Sequence, residues 1–209
     1  MFFVVSAFFL AGCQSAYYKT MEKFGYHKRD ILVNRVEEAR DAQQEAKEQF
    51  KSALEQFSAV MDFRGGQLEE KYKKLNAELE NSESKAKDVR KGIETTEDVA
   101  EALFKEWESE LSQYTNDKLR RLSEQRLGET RKRYSRLIEA MKRAEAKIQP
   151  VLSAFRDQVL FLKHNLNAQA IASLHNELAS VEADISSLIR EMEASIAEAD
   201  AFIQAMAKE

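Results

Sequence analysis

One cysteine, one proline and six glycines are all that the 209 residues hold of the types that cross-link or break a chain. The lone cysteine, Cys13, excludes an intrachain disulfide and a cysteine-rich zinc site, so cysteine usage says nothing of redox compartment. Proline and glycine fall well below their usual shares of about 5% and 7%, which lets helices run long. The apolar run at residues 1–12 would be only about 18 Å long as a helix, against the roughly 20 residues that cross a bilayer. A net charge of -4 gives no reason to expect nucleic acid or a strongly acidic partner. The sequence has no His-Glu-x-x-His helix, no Gly-x-Ser-x-Gly elbow and no Gly-Lys-Ser or Gly-Lys-Thr loop; Gly65-Gly66 runs into Gln67 and Leu68. His164 and His175 are about 16 Å apart on one helix, too far for one metal, and His27 stands alone. No catalytic residue, metal site or cofactor is therefore expected.

What is present is apolar periodicity. Leu32, Val36, Ala39, Gln43, Ala46, Phe50, Ala53, Phe57 and Val60 alternate steps of four and three, the spacing of a coiled-coil seam. Asp30 is a candidate cap before them. Gly65-Gly66 reads as the turn of a helical hairpin. A second seam follows at Leu68, Tyr72, Leu75, Leu79, Ser82, Ala86, Val89 and Ile93. Gly92 and Thr95-Thr96-Glu97-Asp98 predict a weaker interruption there, and Ala100, Phe104, Trp107, Leu111 and Tyr114 form the next face.

Asn116 and Asp117 precede a third helical stretch through Tyr134, Ile138, Met141, Ile148, Leu152, Phe155, Val159, Leu162 and Leu166, within which Pro150 predicts a kink or a new start. Val159-Leu160-Phe161-Leu162, apolar on every side, is expected to be the most enclosed part. Asn165 and Asn167 mark a turn, after which a fresh heptad seam runs from Ile171 to Met206. No strand-like alternation and no repeat of 20–50 residues occurs. The fold class is all-α: an elongated antiparallel helical bundle, or coiled coil, of about four long helices.

Charge is uneven along this body. Residues 118–147 carry eleven Lys or Arg against four Glu, and residues 168–209 carry eight acids against Arg190 and Lys208. The basic stretch has two readings: a solvated face that meets the acidic final helix, or a surface for anionic groups through Arg120, Arg121, Arg131, Lys132, Arg133 and Arg136. Nucleic acid is disfavoured, because only Tyr134 interleaves as a stacking aromatic and no recognition-helix motif is apparent.

The amino end supplies the remaining feature. The apolar run closes on Leu10-Ala11-Gly12-Cys13, which resembles the lipobox of bacterial lipoproteins. The resemblance implies cleavage between Gly12 and Cys13, with acyl chains, three in Gram-negative bacteria, on the sulfur and new amino group of Cys13. One chain holds only marginally and several hold firmly. No Lys or Arg precedes the run, as a signal peptide requires, and a start codon further upstream would supply it. Gln14 after the cysteine, in place of aspartate, implies the outer membrane. Tyr17, Tyr18, Phe24 and Tyr26 in the spacer rest on the headgroups or cap the helical body; both readings stay open.

Two longer stretches, residues 17–33 from Tyr17-Tyr18-Lys19-Thr20 onward and residues 155–172 from Phe155-Arg156-Asp157-Gln158 onward, are similar to a Gram-negative lipoprotein family classed as domain of unknown function 2959. That resemblance implies an envelope lipoprotein with coiled-coil segments and brings no catalytic residues. The expected organisation is a signal peptide at 1–12, a membrane-proximal tether at 13–29 and a helical coiled-coil domain at 30–209. The expected function is that of a non-enzymatic, palmitate-labelled lipoprotein on the periplasmic face of the outer membrane, acting as a structural or partner-binding element. Its partners would be the membrane, an envelope protein and, through unsatisfied seams, further copies of itself. The alternative is a soluble coiled-coil adaptor that binds anionic surfaces or nucleic acid through 118–147.

Overall fold

The computed structural model describes residues 27–61 and 68–208. They form four helices: α1 (Lys28–Met61), α2 (Leu68–Leu111), α3 (Asp117–His164) and α4 (Ala168–Ala207). No strand occurs among the described residues. At 1.5 Å per residue the helices span from about 51 Å to about 72 Å. Each packs along two neighbours, α1 on α2 and α4, and α3 on the same two.

Cross-helix pairs fix the directions. Lys85 meets Glu45 and Lys28 meets Glu106, so α1 and α2 run antiparallel. Arg156 with Glu83 and Arg90 with Glu145 do the same for α2 and α3. Arg143 with Glu191 and Lys147 with Ser187 set α4 antiparallel to α3, and Arg40 with Asp200 and Lys47 with Glu193 set it antiparallel to α1. The result is an up-down-up-down bundle. The hairpin expected at Gly65-Gly66 follows from the antiparallel α1 and α2, although the glycines themselves lie outside the described residues.

All nine seam positions of α1 are buried, as is the α4 seam apart from half-buried Leu178. Phe50, Phe57, Phe155 and Phe202 are wholly enclosed, each contributing about 1.5–3 kcal/mol. The Phe57 and Phe155 rings meet edge to face at 6.1 Å across the bundle's diagonal. The seams are thus satisfied within one chain.

Local expectations divide. Asn167 caps α4, accepting from the Ala170 N–H, and Asn165 closes α3. The first helix begins two residues before Asp30; the His27 carbonyl accepts from the N–H groups of Asp30 and Ile31, leaving Asp30 in the first turn. The interruption expected at 92–98 is absent, and α2 runs straight through it. Gly92 is there for proximity: a Cβ on it would come 3.0 Å from the Ala39 Cα. Thr96 donates to the Gly92 carbonyl at 2.8 Å and to the Arg35 carbonyl of α1 at 3.3 Å, so its hydroxyl is satisfied inside the helix rather than at a new cap.

Pro150 does not start a new helix either. It lies on the exposed face of α3 with Ala146, so the carbonyl that proline leaves without a donor is on the solvent side of the helix. The stretch Val159-Leu160-Phe161-Leu162 is not the most enclosed part. Val159 and Leu162 are buried, but Leu160 is 48% and Phe161 40% exposed, because steps of 100° carry them off the inward face near the end of α3.

Candidate functional site

The six basic residues singled out from the sequence do not form one patch. Arg120 stays on its own helix, between Asp117 and Glu124 at 3.6 Å each, and Arg133 pairs with Glu129. Arg131 crosses to Glu108 of α2 and lays its guanidinium 5.2 Å from the centre of the Phe104 ring. The hydrogen bond between them holds the Glu108 carboxyl below, and the Arg131 guanidinium above, their ordinary values. Arg121, Lys132 and Arg136 differ: they make no ion pair with the described residues. With Lys118 they fall within one sector of the helical wheel, facing away from Leu127, Thr130 and Leu137.

The acidic face of α4 is a smaller partner of this segment than its charge suggests. Glu191 meets Arg143 at 3.8 Å, but Glu193 and Asp200 turn to Lys47 and Arg40 of α1. Lys142 and Arg131 take their carboxylates from α2, as Glu97 and Glu108.

The start of α3 has a second property, set by helix lengths. Lys28 opens α1 opposite Glu106, and Arg29 donates to the Met206 carbonyl at the end of α4. Arg143 lies opposite Glu191, so Ala207, sixteen residues further along α4, falls opposite residue 127 of α3. Leu127 is the first buried residue of α3, and Phe104 the last of α2. Beyond both, the last turn of α2, the connection 112–116 and the first turns of α3 project as a two-helix spur that neither α1 nor α4, the other two described helices, packs against.

The spur is held together at its base and open at its tip. The Trp107 indole N–H donates to the Ser123 hydroxyl at 2.8 Å, and the Tyr114 hydroxyl donates to the same oxygen at 3.4 Å. Asn116 caps α3, its side chain accepting from the Lys118 and Leu119 N–H groups. Tyr114, Leu119 and Leu122 are 42%, 51% and 48% exposed. Leu119, Leu122 and Arg126, at spacings of three and four, share one side, with Lys118 bordering Leu122 and Arg121 on the opposite side of the helix. The sequence reading picked out the arginines and missed this apolar–basic tip. A helical wheel over 118–136 carries the signal, but which side the bundle leaves open depends on where α1 and α4 stop.

Elsewhere the concavities are grooves between helices that open to solvent. One is lined by Glu83, Lys87, Arg90, Glu145 and Arg156, four of which are paired across it. His164 and His175 are exposed, and the described residues contain no group of three His, Cys, Asp or Glu disposed to hold a metal. No described helix is long and apolar enough to cross a membrane. Gly12 and Cys13 lie outside the described residues.

Against known families, residues 17–206 match the model described as Protein of unknown function (DUF2959). The chain belongs to this family. The match reaches from the spacer ahead of α1 to the last turn of α4, so the whole bundle with its spur is the family's unit. No curated protein and no solved structure matches the chain.

Proposed function

We propose that this DUF2959 chain is a non-enzymatic lipoprotein of the Gram-negative envelope, held by acyl groups on Cys13, whose helical rod positions or binds a partner in the periplasm. The observation that carries the reading is the single cysteine at the end of Leu10-Ala11-Gly12-Cys13, directly after a short apolar run. Gln14 in the next position favours the outer membrane.

The bundle fits an architectural role. Its seams close within the chain, and its surface is laced with cross-helix ion pairs. Among the described residues the displaced carboxylates, Glu69 and Glu108, are displaced downward by hydrogen bonds from Lys73 and Arg131. That suits ion pairing; a general acid working near neutral pH needs the opposite shift.

Metabolic labelling with palmitate tests the anchor. The native chain is expected to incorporate label and fractionate with outer membranes, and Cys13→Ala to do neither. An unlabelled native chain carrying residues 1–12 and a free thiol rejects the reading. The soluble adaptor is the second reading, favoured by the cations of α3 that lack a carboxylate partner; it predicts cytosolic recovery and salt-sensitive binding through residues 118–147.

A further inference from the structure

Three features meet at one end of the bundle. The chain enters α1 there, at Lys28. The α2–α3 spur projects from the same end, past the start of α1 and the finish of α4. The tip of that spur combines exposed Tyr114, Leu119 and Leu122 with Lys118, Arg121 and Arg126, cations that meet no carboxylate among the described residues.

We propose that the spur is a second membrane contact: its apolar tip enters the headgroup zone of a phospholipid bilayer, and its cations meet the phosphates of anionic lipids. The proposal rests on the acyl-anchor reading for its direction. From Cys13 to His27 an extended chain reaches at most about 50 Å, so an anchored body stays near the surface with this end foremost. Residues 117–126 carry the spur about 15 Å beyond the level of Leu127, so it meets that surface before the remainder of the bundle does.

Charge decides between the bilayer and the nearest competitor, the chain's own residues 14–26. That segment carries Lys19 and Lys23 against Glu22, the same sign of excess as the spur, and offers Lys118, Arg121 and Arg126 a single carboxylate among them. An anionic bilayer offers both halves of what the tip needs: apolar depth for the leucines, and phosphates at the level where tyrosine and tryptophan rings settle. The Trp107 indole, at the base and hydrogen-bonded to Ser123, ties the two helices so that the tip is presented as one piece.

Trp107 is the sole tryptophan, which makes the test direct. The acylated full chain, as Trp107→Phe/Leu119→Trp, is reconstituted in vesicles of phosphatidylglycerol and phosphatidylethanolamine that contain a brominated acyl chain. The comparison protein is Trp107→Phe/Leu160→Trp, with its indole at the far end. Strong quenching at position 119 and none at 160 is expected, reduced when Lys118→Glu/Arg121→Glu is added. Equal quenching at the two positions overturns the proposal. So does an indole at 119 that acrylamide fails to reach before any vesicle is added, since the chain's own amino-terminal segment would then cover the tip.

Should the substituted indoles disturb folding, the emission shift of native Trp107 on vesicle binding, compared between the parent and Lys118→Glu/Arg121→Glu, reads the same contact. Failure of the anchor reading is distinguishable. The full-length Cys13→Ala chain is floated with phosphatidylglycerol vesicles, and the charge reversal is expected to lower its partition by about tenfold or more. Identical partition of the two Cys13→Ala proteins overturns the spur contact, whatever Cys13 carries.

Discussion

At Gly92 an added methyl would stand 3.0 Å from the Ala39 Cα and 3.1 Å from its Cβ; at Gly128 it would meet nothing within 4 Å. Both residues are helical, so alanine gains about 1 kcal/mol of helix propensity at either site. Gly128→Ala is expected to keep that gain. Gly92→Ala is expected to lose it and more, because moving α1 off α2 costs about 1–3 kcal/mol. Urea unfolding of the two variants checks the contrast, and stabilisation of both would mean that α1 and α2 do not approach so closely. Gln43 presents a related case. It is wholly buried, and neither its amide nitrogen nor its oxygen has a hydrogen-bond partner. Leaving such groups unsatisfied costs about 1–3 kcal/mol, so Gln43→Leu is expected to raise the urea midpoint.

Among the helices, sequence and structure agree where periodicity alone decides and part where a neighbour decides. Seams such as Leu32 to Val60 were legible because every fourth and third residue must face inward whatever the partner is. Thr95-Thr96 read as a break because threonine often caps; only the closeness of Ala39 and the Arg35 carbonyl turns the site into a helix crossing. Val159-Leu160-Phe161-Leu162 read as enclosed because a run of apolar residues conceals which side has company. The spur was hidden for the same reason: its exposure is set by the lengths of α1 and α4, not by residues 107–126. Asn116 was legible as the residue ahead of a new helical stretch and proves to be its cap. Asn116→Ala is expected to cost about 1 kcal/mol, and to raise amide exchange at Lys118 and Leu119 first.

The whole bundle is laced by ion pairs whose response to pH has a definite sign. Glu108 and Glu69 are held below their ordinary 4.5 by hydrogen bonds from Arg131 and Lys73. A depressed carboxylate contributes stability that is present above its unfolded value and lost as pH falls through the folded one. Lys85 is raised above 10.5 by its hydrogen bond to Glu45, so its contribution persists until the solution is more alkaline than that. Between these limits the ion-pair contribution is expected to be flat. The difference in urea midpoint between the parent and Glu108→Gln should hold at pH 7, shrink below pH 4.5 and vanish once Glu108 is protonated in the fold. High salt should shrink it at any pH, since both partners face solvent. A difference that grows on acidification would contradict the assigned pair.

Arg29 holding the carbonyl of Met206 also has a practical consequence. The entrance to the first helix and the exit from the last are side by side, so a fluorescent protein or affinity tag appended after α4 would crowd whatever the amino-terminal end touches. Inserted instead in the 165–167 connection, the same cargo would ride on the opposite pole, roughly 60 Å away along α4. It would report on the rod while leaving its attachment undisturbed.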